Sequence, residues 1–328
     1  MRALLFDGST VKFRQFHAEP AWAAASEEAL IQVHLAGLCQ TDLEIAKGYM
    51  GFKGVLGHEF VGTVLKASGA VGSGLVGKRV VGEINCVCGK CDMCARGLST
   101  HCRHRTVLGI QNRDGVFADL ALLPIRNLHV VPDNVSNEEA VFTEPLAAAV
   151  QILRQVQVDA RTRVMILGDG RLGQLVARVI ALRKCPLVLV GRHEGKLTLA
   201  DRAGIRTAQD REVEGRHDQD LVIDCTGRAA GFRRALELVR PRGTIVLKTT
   251  VADSAADKTT NLAAVVIDEI TILGSRCGPF REALAMLGQK QVDVTPLISR
   301  RVKIDGGESL FAGPLGADTL KVLLTFDR

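Results

Sequence analysis

The sequence contains no apolar segment long enough to cross a membrane, which takes about 18 or more consecutive apolar residues. Near the start, the acidic residue Asp7 comes too early for the apolar region of a secretory signal peptide. From these two absences we expect a cytoplasmic protein without a membrane partner.

Aromatic residues and blocks of basic residues are also scarce. Aromatics make up 4% of the chain, and the lysines and arginines are scattered among acids, with a net charge of +6. Nucleic-acid binding usually comes with a concentrated basic patch, so we expect no nucleic-acid partner. The mild basic excess would suit an acidic or phosphorylated ligand, and a solvated surface explains it equally well.

The length and the cysteine content bound the architecture. At 328 residues the chain is too long for one simple core, which predicts two domains. Nine cysteines would suggest disulfides in a small secreted protein. In a chain of this size without an export signal, metal ligands or buried thiols are the expected roles.

Four of the cysteines lie within fifteen residues of one another: Cys88, Cys91, Cys94 and Cys102. Four thiolates at this spacing suit a tetrahedral Zn²⁺ with bonds of about 2.3 Å, so a closed structural zinc site is predicted. An iron–sulfur cluster or a degenerate site is the alternative, and Cys86 is expected to be a bystander. A nucleic-acid-binding zinc ribbon is disfavoured, because ribbons use two separated C-x2-C pairs and no aromatic platform accompanies the neighbouring basic residues.

A second group of possible metal ligands is spread along the first half of the chain. Cys39 lies in the stretch Gly37–Asp42, and His58 and Glu59 follow in the stretch Gly57–Gly62. A thiol, an imidazole and a carboxylate suit zinc, but separation along the chain leaves unrelated residues as an open alternative. Glu144 interrupts an apolar segment before a proline, where a carboxylate is costly to bury unless it is paired or metal-bound. A helix-entry acid is the alternative for Glu144.

The middle of the chain carries a glycine-rich turn between a strand-like run and a helical pattern. The run Val164–Leu167 ends in Gly168-Asp169-Gly170-Arg171-Leu172-Gly173, and apolar residues then recur at helical spacing. Gly168 would permit a tight turn, Gly170 the close approach of a pyrophosphate, and Gly173 close packing of helix on strand. An ordinary glycine-rich turn is the alternative.

From Arg163 onward, strand-like runs alternate with helical patterns, among them a helix predicted over Ala229–Arg240. This alternation predicts a parallel, doubly wound sheet, and hence an α/β protein. The alternation fades past Gly274, so the last part of the chain is expected to return to the first domain.

With these residues assembled, the chain resembles the zinc-dependent medium-chain dehydrogenase/reductase family, which includes alcohol, sorbitol-type polyol, glucose and threonine dehydrogenases. The resemblance runs over nearly the whole length and rests on six motifs in the family's order: G-x-C-x-T-D at 37–42, G-H-E-x-x-G at 57–62, the four cysteines at 88–102, E-P-L-A at 144–147, the glycine fingerprint at 168–173 and K-V-L-L at 321–324.

The resemblance implies a β-rich, GroES-like catalytic domain at residues 1–150, with a structural zinc lobe at 86–102, completed by residues 276–328. Residues 151–275 would form a Rossmann dinucleotide-binding domain, with the active site in the cleft between the two. Family members are commonly homodimers or homotetramers, so a homo-oligomer is expected.

The resemblance also implies a catalytic zinc held by Cys39, His58 and Glu144, with Glu59 able to replace or support the third ligand. Zinc with an open position would bind an alcohol oxygen and lower the pKa of the alcohol, and a hydride would pass to the nicotinamide. Thr41 occupies the place of a hydroxyl that passes the proton outward, and an ordinary capping threonine is the alternative. The histidine that often ends this relay is Glu44 here, which puts the outer end of the relay in doubt.

The cofactor preference is predicted from the end of the second strand. An acid there, about 20 residues after the glycines, binds the ribose 2′-hydroxyl in NAD-preferring relatives. Gly191 occupies that position, and Arg192 supplies a guanidinium suited to a 2′-phosphate. We predict a preference for NADP(H), the alternative being that Glu194 or another residue binds the ribose and the cofactor is NAD(H).

The predicted function is therefore zinc-dependent hydride transfer between NADP(H) and a small secondary alcohol, polyol or sugar, with one catalytic and one structural zinc per chain. An NAD-dependent relative is one alternative. A catalytically silent protein that keeps the fold as a redox sensor or structural component is another. The sequence does not name the substrate.

Overall fold

A computed structural model describes residues 1–249 and 262–327. The chain splits into two compact units. Unit 1 comprises Met1–Glu144, Leu284–Lys290 and Ile298–Arg328, and unit 2 comprises Pro145–Ala283 and Gln291–Leu297. The functional division predicted at residues 150 and 275 stays a prediction. Within the two described ranges, every helix is too short or too polar to cross a membrane.

The strands, in chain order, are β1 (Ala3–Phe6), β2 (Val11–Arg14), β3 (Glu28–Gly37), β4 (Gly54–Val55), β5 (Glu59–Lys66), β6 (Arg79–Gly82), β7 (Asn85–Cys86), β8 (Thr106–Val107), β9 (Leu120–Pro124), β10 (Leu128–Val130), β11 (Val164–Leu167), β12 (Leu187–Gly191), β13 (Thr207–Gln209), β14 (Gln219–Asp224), β15 (Val239–Leu247), β16 (Thr271–Gly274), β17 (Ile298–Lys303) and β18 (Lys321–Thr325).

The α-helices are α1 (Gln40–Ile45), α2 (Gly69–Ser73), α3 (Asp92–Ala95), α4 (Asn137–Val141), α5 (Thr143–Gln155), α6 (Arg171–Ala181), α7 (Glu194–Asp201), α8 (Ala229–Leu238), α9 (Ala263–Ile267) and α10 (Phe280–Gly288). Short 3₁₀ turns connect several of these elements.

Unit 1 is built mainly from antiparallel strands. Its largest sheet has the order β10-β6-β5-β3-β18-β17, with β9 also paired to β3. Strand β18, from the end of the chain, pairs with β3 and places Leu323 opposite Gly37. The last part of the chain therefore joins the same sheet as the first part.

Unit 2 contains a parallel sheet in the order β13-β12-β11-β14-β15-β16 among the described residues. Numbered within this sheet, the order is 3-2-1-4-5-6, the doubly wound order of dinucleotide-binding folds. Strand β11 lies next to its centre, and all four of its side chains are buried, as expected for a strand covered on both faces. The predicted parallel sheet is confirmed.

One predicted boundary is wrong. The helix predicted over Ala229–Arg240 ends at Leu238, and β15 begins at the next residue. Pro241 explains the early end, because proline has no amide hydrogen to donate within a helix and disfavours helical backbone at the residue before it. Arg240, predicted as helical, belongs instead to β15, which runs from Val239 to Leu247.

Candidate metal centres and cofactor site

The pairing of β3 with β5 brings Cys39 and His58 together. The two strands are antiparallel, and Gly37 at the end of β3 lies opposite Glu59 at the start of β5. Cys39 follows β3 by two residues and forms the N-cap of α1, while His58 directly precedes β5. Residues nineteen positions apart in the sequence thus become neighbours through strand register.

The ligand atoms of Cys39, His58 and Glu59 all lie within 4.8 Å of one another. His58 and Glu59 are buried, and Cys39 is half-buried. A thiol, an imidazole and a carboxylate form a donor set that suits zinc. The residues therefore fit the metal that the sequence predicts at this place.

Asp42 supports two of these ligands from α1. Its Oδ2 accepts a hydrogen bond of 2.8 Å from the Cys39 amide. Its Oδ1 lies 3.2 Å from His58 Nδ1 without the alignment of a hydrogen bond, so both atoms are buried without a hydrogen-bond partner among the described residues. Such orphaned polar atoms favour a bound cation, since a metal on the imidazole would turn its other nitrogen into a donor for the carboxylate.

The electrostatics of His58 are consistent with that arrangement. Burial by itself lowers the pKa of His58, but the neighbouring Asp42 carboxylate and Cys39 sulfur outweigh it and raise the pKa well above the ordinary value. The pocket therefore favours positive charge at this position. Asp42 is the last residue of the G-x-C-x-T-D motif, yet its supporting position was not derivable from the sequence pattern alone.

Glu59 has a second partner, the ammonium of Lys321 at the start of β18. Both side chains are only 1% exposed, which makes the ion pair part of the core of unit 1. The Lys321 Nζ also lies 5.5 Å from the centre of the Phe142 ring. Gly37 leaves room for the pair, because a Cβ on Gly37 would come within 2.5 Å of Glu59 Oε2.

The two predicted relay residues differ in their surroundings. Thr41 lies on α1 with its Oγ1 3.7 Å from Cys39 Sγ, beside the candidate metal ligands. Glu44 instead accepts hydrogen bonds from Gln40 and Lys47 at 2.8 and 3.1 Å. Partial burial raises the pKa of Glu44, but these two partners outweigh it and lower the pKa below the ordinary value, so Glu44 is a weak proton acceptor.

Glu144 lies in the first turn of α5 and is half-buried. Among the described residues, Glu144 does not belong to the group of Cys39, His58 and Glu59, whose ligand atoms all lie within 4.8 Å of one another. The structure thus groups Glu59, rather than Glu144, with Cys39 and His58.

The four clustered cysteines lie between β7 and β8, which pair as a two-stranded ribbon at the base of their loop. The sulfur–sulfur distances are 3.6 Å from Cys91 to Cys94, 3.8 Å from Cys91 to Cys102, and 3.5 Å from Cys102 to Cys88. A regular tetrahedron with metal–sulfur bonds of about 2.3 Å has edges of about 3.8 Å. The cluster therefore has the dimensions of a tetrahedral zinc site.

The backbone of this lobe favours the thiolate of Cys91, whereas burial and the neighbouring sulfurs raise the pKa of Cys94 to about 11. Hydrogen bonds from the amides of Cys94 and Arg103 lower the pKa of Cys91 to about 6. Cys86, by contrast, lies outside the cluster and is buried, and burial raises the pKa of its thiol. Cys86 therefore lies apart from the metal ligands, as a neutral thiol.

The glycine turn adopts the predicted strand–turn–helix arrangement in unit 2. Gly168 follows β11 with φ +106°, a left-handed conformation that favours glycine. A Cβ on Gly173 would lie 1.8 Å from the Gly168 carbonyl oxygen, whereas one on Gly170 would meet nothing within 4 Å. Gly170 is the N-cap of α6, and Arg171 and Leu172 open the helix, so this end of the helix has the form of an anion-binding turn.

Asp169, for which the sequence predicted no role, contacts the residues that follow β12. Arg192 is exposed, as expected for a side chain that meets a ligand or solvent, and Gly191 is buried. The carboxylate of Asp169, from the glycine turn, accepts hydrogen bonds of 2.7 Å from the amides of both Arg192 and His193. Its position inside the G-x-G was visible in the sequence, but not the direction of its side chain.

Comparison with known proteins gives two family matches along the chain. Residues 25–133 match the family model described as the alcohol dehydrogenase GroES-like domain, and residues 172–289 match that described as zinc-binding dehydrogenase. These matches define the class as an oxidoreductase of the zinc-binding alcohol dehydrogenase type. The chain belongs to the zinc-dependent medium-chain dehydrogenase/reductase family, and the predicted combination of a GroES-like domain with a Rossmann sheet is confirmed.

Individual relatives are distant but cover nearly the whole chain. Sorbitol dehydrogenase of Halalkalibacterium halodurans is 26% identical over 325 residues, with 94% of each chain covered. L-threonine 3-dehydrogenase of Chelativorans sp. is 28% identical, with 90% of this chain and 91% of the relative covered. A zinc-binding dehydrogenase from Sinorhizobium meliloti, solved with NADP bound, has a TM-score of 0.88 at 26% identity and covers 99% of this chain and 98% of its own.

Proposed function

We propose that this chain catalyses zinc-dependent hydride transfer between a nicotinamide dinucleotide and a secondary alcohol, polyol or sugar. The observation that carries the proposal is the grouping of Cys39, His58 and Glu59 in unit 1 of a chain whose unit 2 holds the glycine turn. Membership of the family supports the alcohol or polyol class of substrate.

Cys39 and His58 would hold the catalytic zinc, with Glu59 as the third protein ligand. We place Glu59 ahead of Glu144 because only its carboxylate lies within 4.8 Å of the other two donors. Bound there, zinc supplies a Lewis acid that polarises the substrate oxygen. Glu144 stays the alternative third ligand.

The chain's own groups would handle the proton of the alcohol. We assign Thr41 as the first acceptor and donor, because its hydroxyl lies beside Cys39. Asp42 orients Cys39 and His58 through the contacts described above. Because Glu44 is hydrogen-bonded to Gln40 and Lys47, we assign the next step of the proton relay to solvent rather than to Glu44.

A second zinc would be held by the four sulfurs of the lobe: Cys88, Cys91, Cys94 and Cys102. Because all four positions would be protein sulfur, this site stabilises the lobe and takes no part in the reaction. The proposal therefore contains two zinc ions per chain.

The nicotinamide dinucleotide would bind with its pyrophosphate on the turn Gly168–Gly173, where Arg171 and Leu172 open the helix. The bound nicotinamide supplies the acceptor or donor of the hydride. The preference for NADP(H) predicted from Gly191 and Arg192 stays a prediction, with NAD(H) as the alternative. Asp169, described above, bears directly on that choice.

The substrates named for two relatives support one chemical class of substrate for this chain. Sorbitol and L-threonine, named in two of the relatives, both carry a hydroxyl on a secondary carbon. We propose a small secondary alcohol for this chain as well, and a homodimer or homotetramer as its assembly. Light scattering during size-exclusion chromatography measures the assembly.

The proposal is tested by metal analysis and a substrate screen. Zinc-replete protein is expected to contain two zinc ions per chain and to reduce NAD⁺ or NADP⁺ with at least one member of a panel of alcohols, polyols and sugars. Cys39→Ser is expected to abolish turnover. Unchanged turnover in Cys39→Ser would instead favour the catalytically silent alternative or a different site.

A further inference from the structure

Asp169 directs a buried carboxylate to the end of β12. Its side chain is 8% exposed. Oδ2 accepts the amides of Arg192 and His193, each at 2.7 Å, and Oδ1 lies 3.0 Å from His193 Nδ1. The carboxylate therefore belongs spatially to the loop after β12, although its residue belongs to the turn after β11.

The absence of a side chain at residue 191 makes this position possible. A Cβ on Gly191 would lie 2.4 Å from Asp169 Oδ2 and 2.5 Å from Asp169 Cβ. No larger residue fits there while Asp169 keeps its place. The Asp169 side chain thus fills the space that a side chain at Gly191 would occupy.

In dinucleotide-binding folds the end of the second strand contacts the ribose of the adenosine, so the position of Asp169 bears on the choice of cofactor. An acid there accepts a hydrogen bond from the ribose 2′-hydroxyl of NAD. The Asp169 carboxylate contacts the first two residues after β12 and carries the same charge as that acid. Burial raises the pKa of Asp169, but hydrogen bonds from the backbone and side chain of His193 and from Arg192 lower it overall, so the group is ionised at neutral pH.

The same contacts disfavour a 2′-phosphate. Backbone amides are donors that could bind a phosphate, but those of Arg192 and His193 already donate to Asp169. A phosphate at this place would also face the negative charge of the carboxylate. The exposed Arg192 side chain would attract a 2′-phosphate, but the buried carboxylate of Asp169 would repel it.

We propose that Asp169 supplies the acid missing at Gly191, accepts the adenosine ribose 2′-hydroxyl, and selects NAD(H) over NADP(H). The inference rests on the proposed function in so far as the chain must bind a nicotinamide dinucleotide. It reverses the cofactor preference predicted from Gly191 and Arg192 and assigns the selecting charge to the glycine turn.

The experiment is a fluorescence titration with NADH and NADPH. The wild-type protein is expected to bind NADH more tightly than NADPH. Asp169→Asn keeps the size of the side chain and one amide-accepting oxygen but removes the charge. The ratio of the two dissociation constants is expected to shift toward NADPH by at least about tenfold, because hydrogen bonds to charged groups are the strong ones.

Asp220→Asn is the matched control. Asp220 also accepts a backbone amide, from Arg163 at 2.7 Å. It lies near the start of β14, whereas the glycine turn follows the end of the neighbouring parallel strand β11. The same charge change there is expected to leave the NADH to NADPH ratio unaltered. In Asp169→Asn, adding Arg192→Ala is expected to remove the gain in NADPH binding.

A competition on the wild-type protein needs no variant to fold. Bound NADH is displaced with adenosine 5′-monophosphate or with adenosine 2′,5′-bisphosphate, and the monophosphate is expected to compete at lower concentration. Tighter binding of the bisphosphate or of NADPH to the wild type overturns the inference, as does an unchanged ratio in Asp169→Asn. In those cases the proposed function survives, whereas failure of both dinucleotides to bind contradicts the function and the inference together.

Discussion

Replacing Lys321 with methionine tests the buried ion pair beside the candidate catalytic metal. Methionine keeps an unbranched chain but removes the ammonium that Glu59 contacts in the core of unit 1. The carboxylate then stays buried without its cation. Excess chelator during the measurement ensures that no metal ion compensates the charge of Glu59.

The expected loss is large because both side chains are 1% exposed. Removing one partner of a buried pair destabilises a protein by about 3–5 kcal/mol, since the remaining charge is left uncompensated. The contact of Lys321 with the Phe142 ring, at 5.5 Å, is lost as well and contributes within that range. We therefore expect Lys321→Met to lower the free energy of unfolding of unit 1 by about 3–5 kcal/mol.

The single tryptophan makes the assay specific to unit 1. Trp22 is the one tryptophan of the chain. Its indole donates a hydrogen bond of 2.9 Å to the Glu28 carbonyl, at the start of β3. Its fluorescence during urea unfolding therefore reports on the unit that contains Lys321.

Two comparisons make the result decisive. Lys290→Met removes an ammonium that is 54% exposed and paired with Glu139, so a loss of about 1 kcal/mol or less is expected. The double variant Glu59→Met with Lys321→Met is expected to recover most of the lost stability, because two apolar side chains replace two charges. Equal effects of Lys321→Met and Lys290→Met, or additive losses in the double variant, would refute the reasoning.

The remaining predictions concern the metal sites and the packing beneath them. Cys91→Ser is expected to remove one zinc ion per chain and lower the melting temperature, whereas Cys39→Ser is expected to remove the other ion and abolish turnover. Metal analysis and thermal unfolding distinguish the two variants. Loss of both ions from either variant would contradict independent sites. Gly37→Ala is expected to destabilise unit 1 by about 1–3 kcal/mol, because its Cβ would meet Glu59 Oε2 at 2.5 Å. Gly313→Ala, whose Cβ would meet nothing within 4 Å, is the control and is expected to be nearly neutral in the same urea titration.

Local patterns predicted the parts of the site that local structure determines. The spacing of Cys88, Cys91 and Cys94 already limits how far apart their sulfurs can lie, so the lobe was predictable from the sequence. The strand, glycine turn and helix around Gly168 are likewise contiguous. In both cases the relevant geometry arises within about twenty residues, where turn chemistry and periodicity carry most of the information.

The parts that failed to emerge from the sequence depend on strand order and side-chain direction. Lys321 was visible only as a member of the K-V-L-L motif, because its contact with Glu59 joins residues 262 positions apart. The choice between Glu59 and Glu144 as a neighbour of Cys39 required the β3–β5 register. The orientation of Asp169 required β11 and β12 to be adjacent, with their ends aligned.

The pairing of β18 with β3 has a consequence for how the protein is made. On the ribosome, Glu59 emerges long before Lys321, and the whole of the parallel sheet is synthesised in between. Until β18 is released from the exit tunnel, the end of β3 from Leu35 to Gly37 lacks the strand that pairs with it there, and Glu59 has no ammonium to neutralise it. A chaperone or an early-bound metal ion would act on that intermediate, so premature termination upstream of β18 should yield a chain prone to aggregation rather than a shorter folded protein.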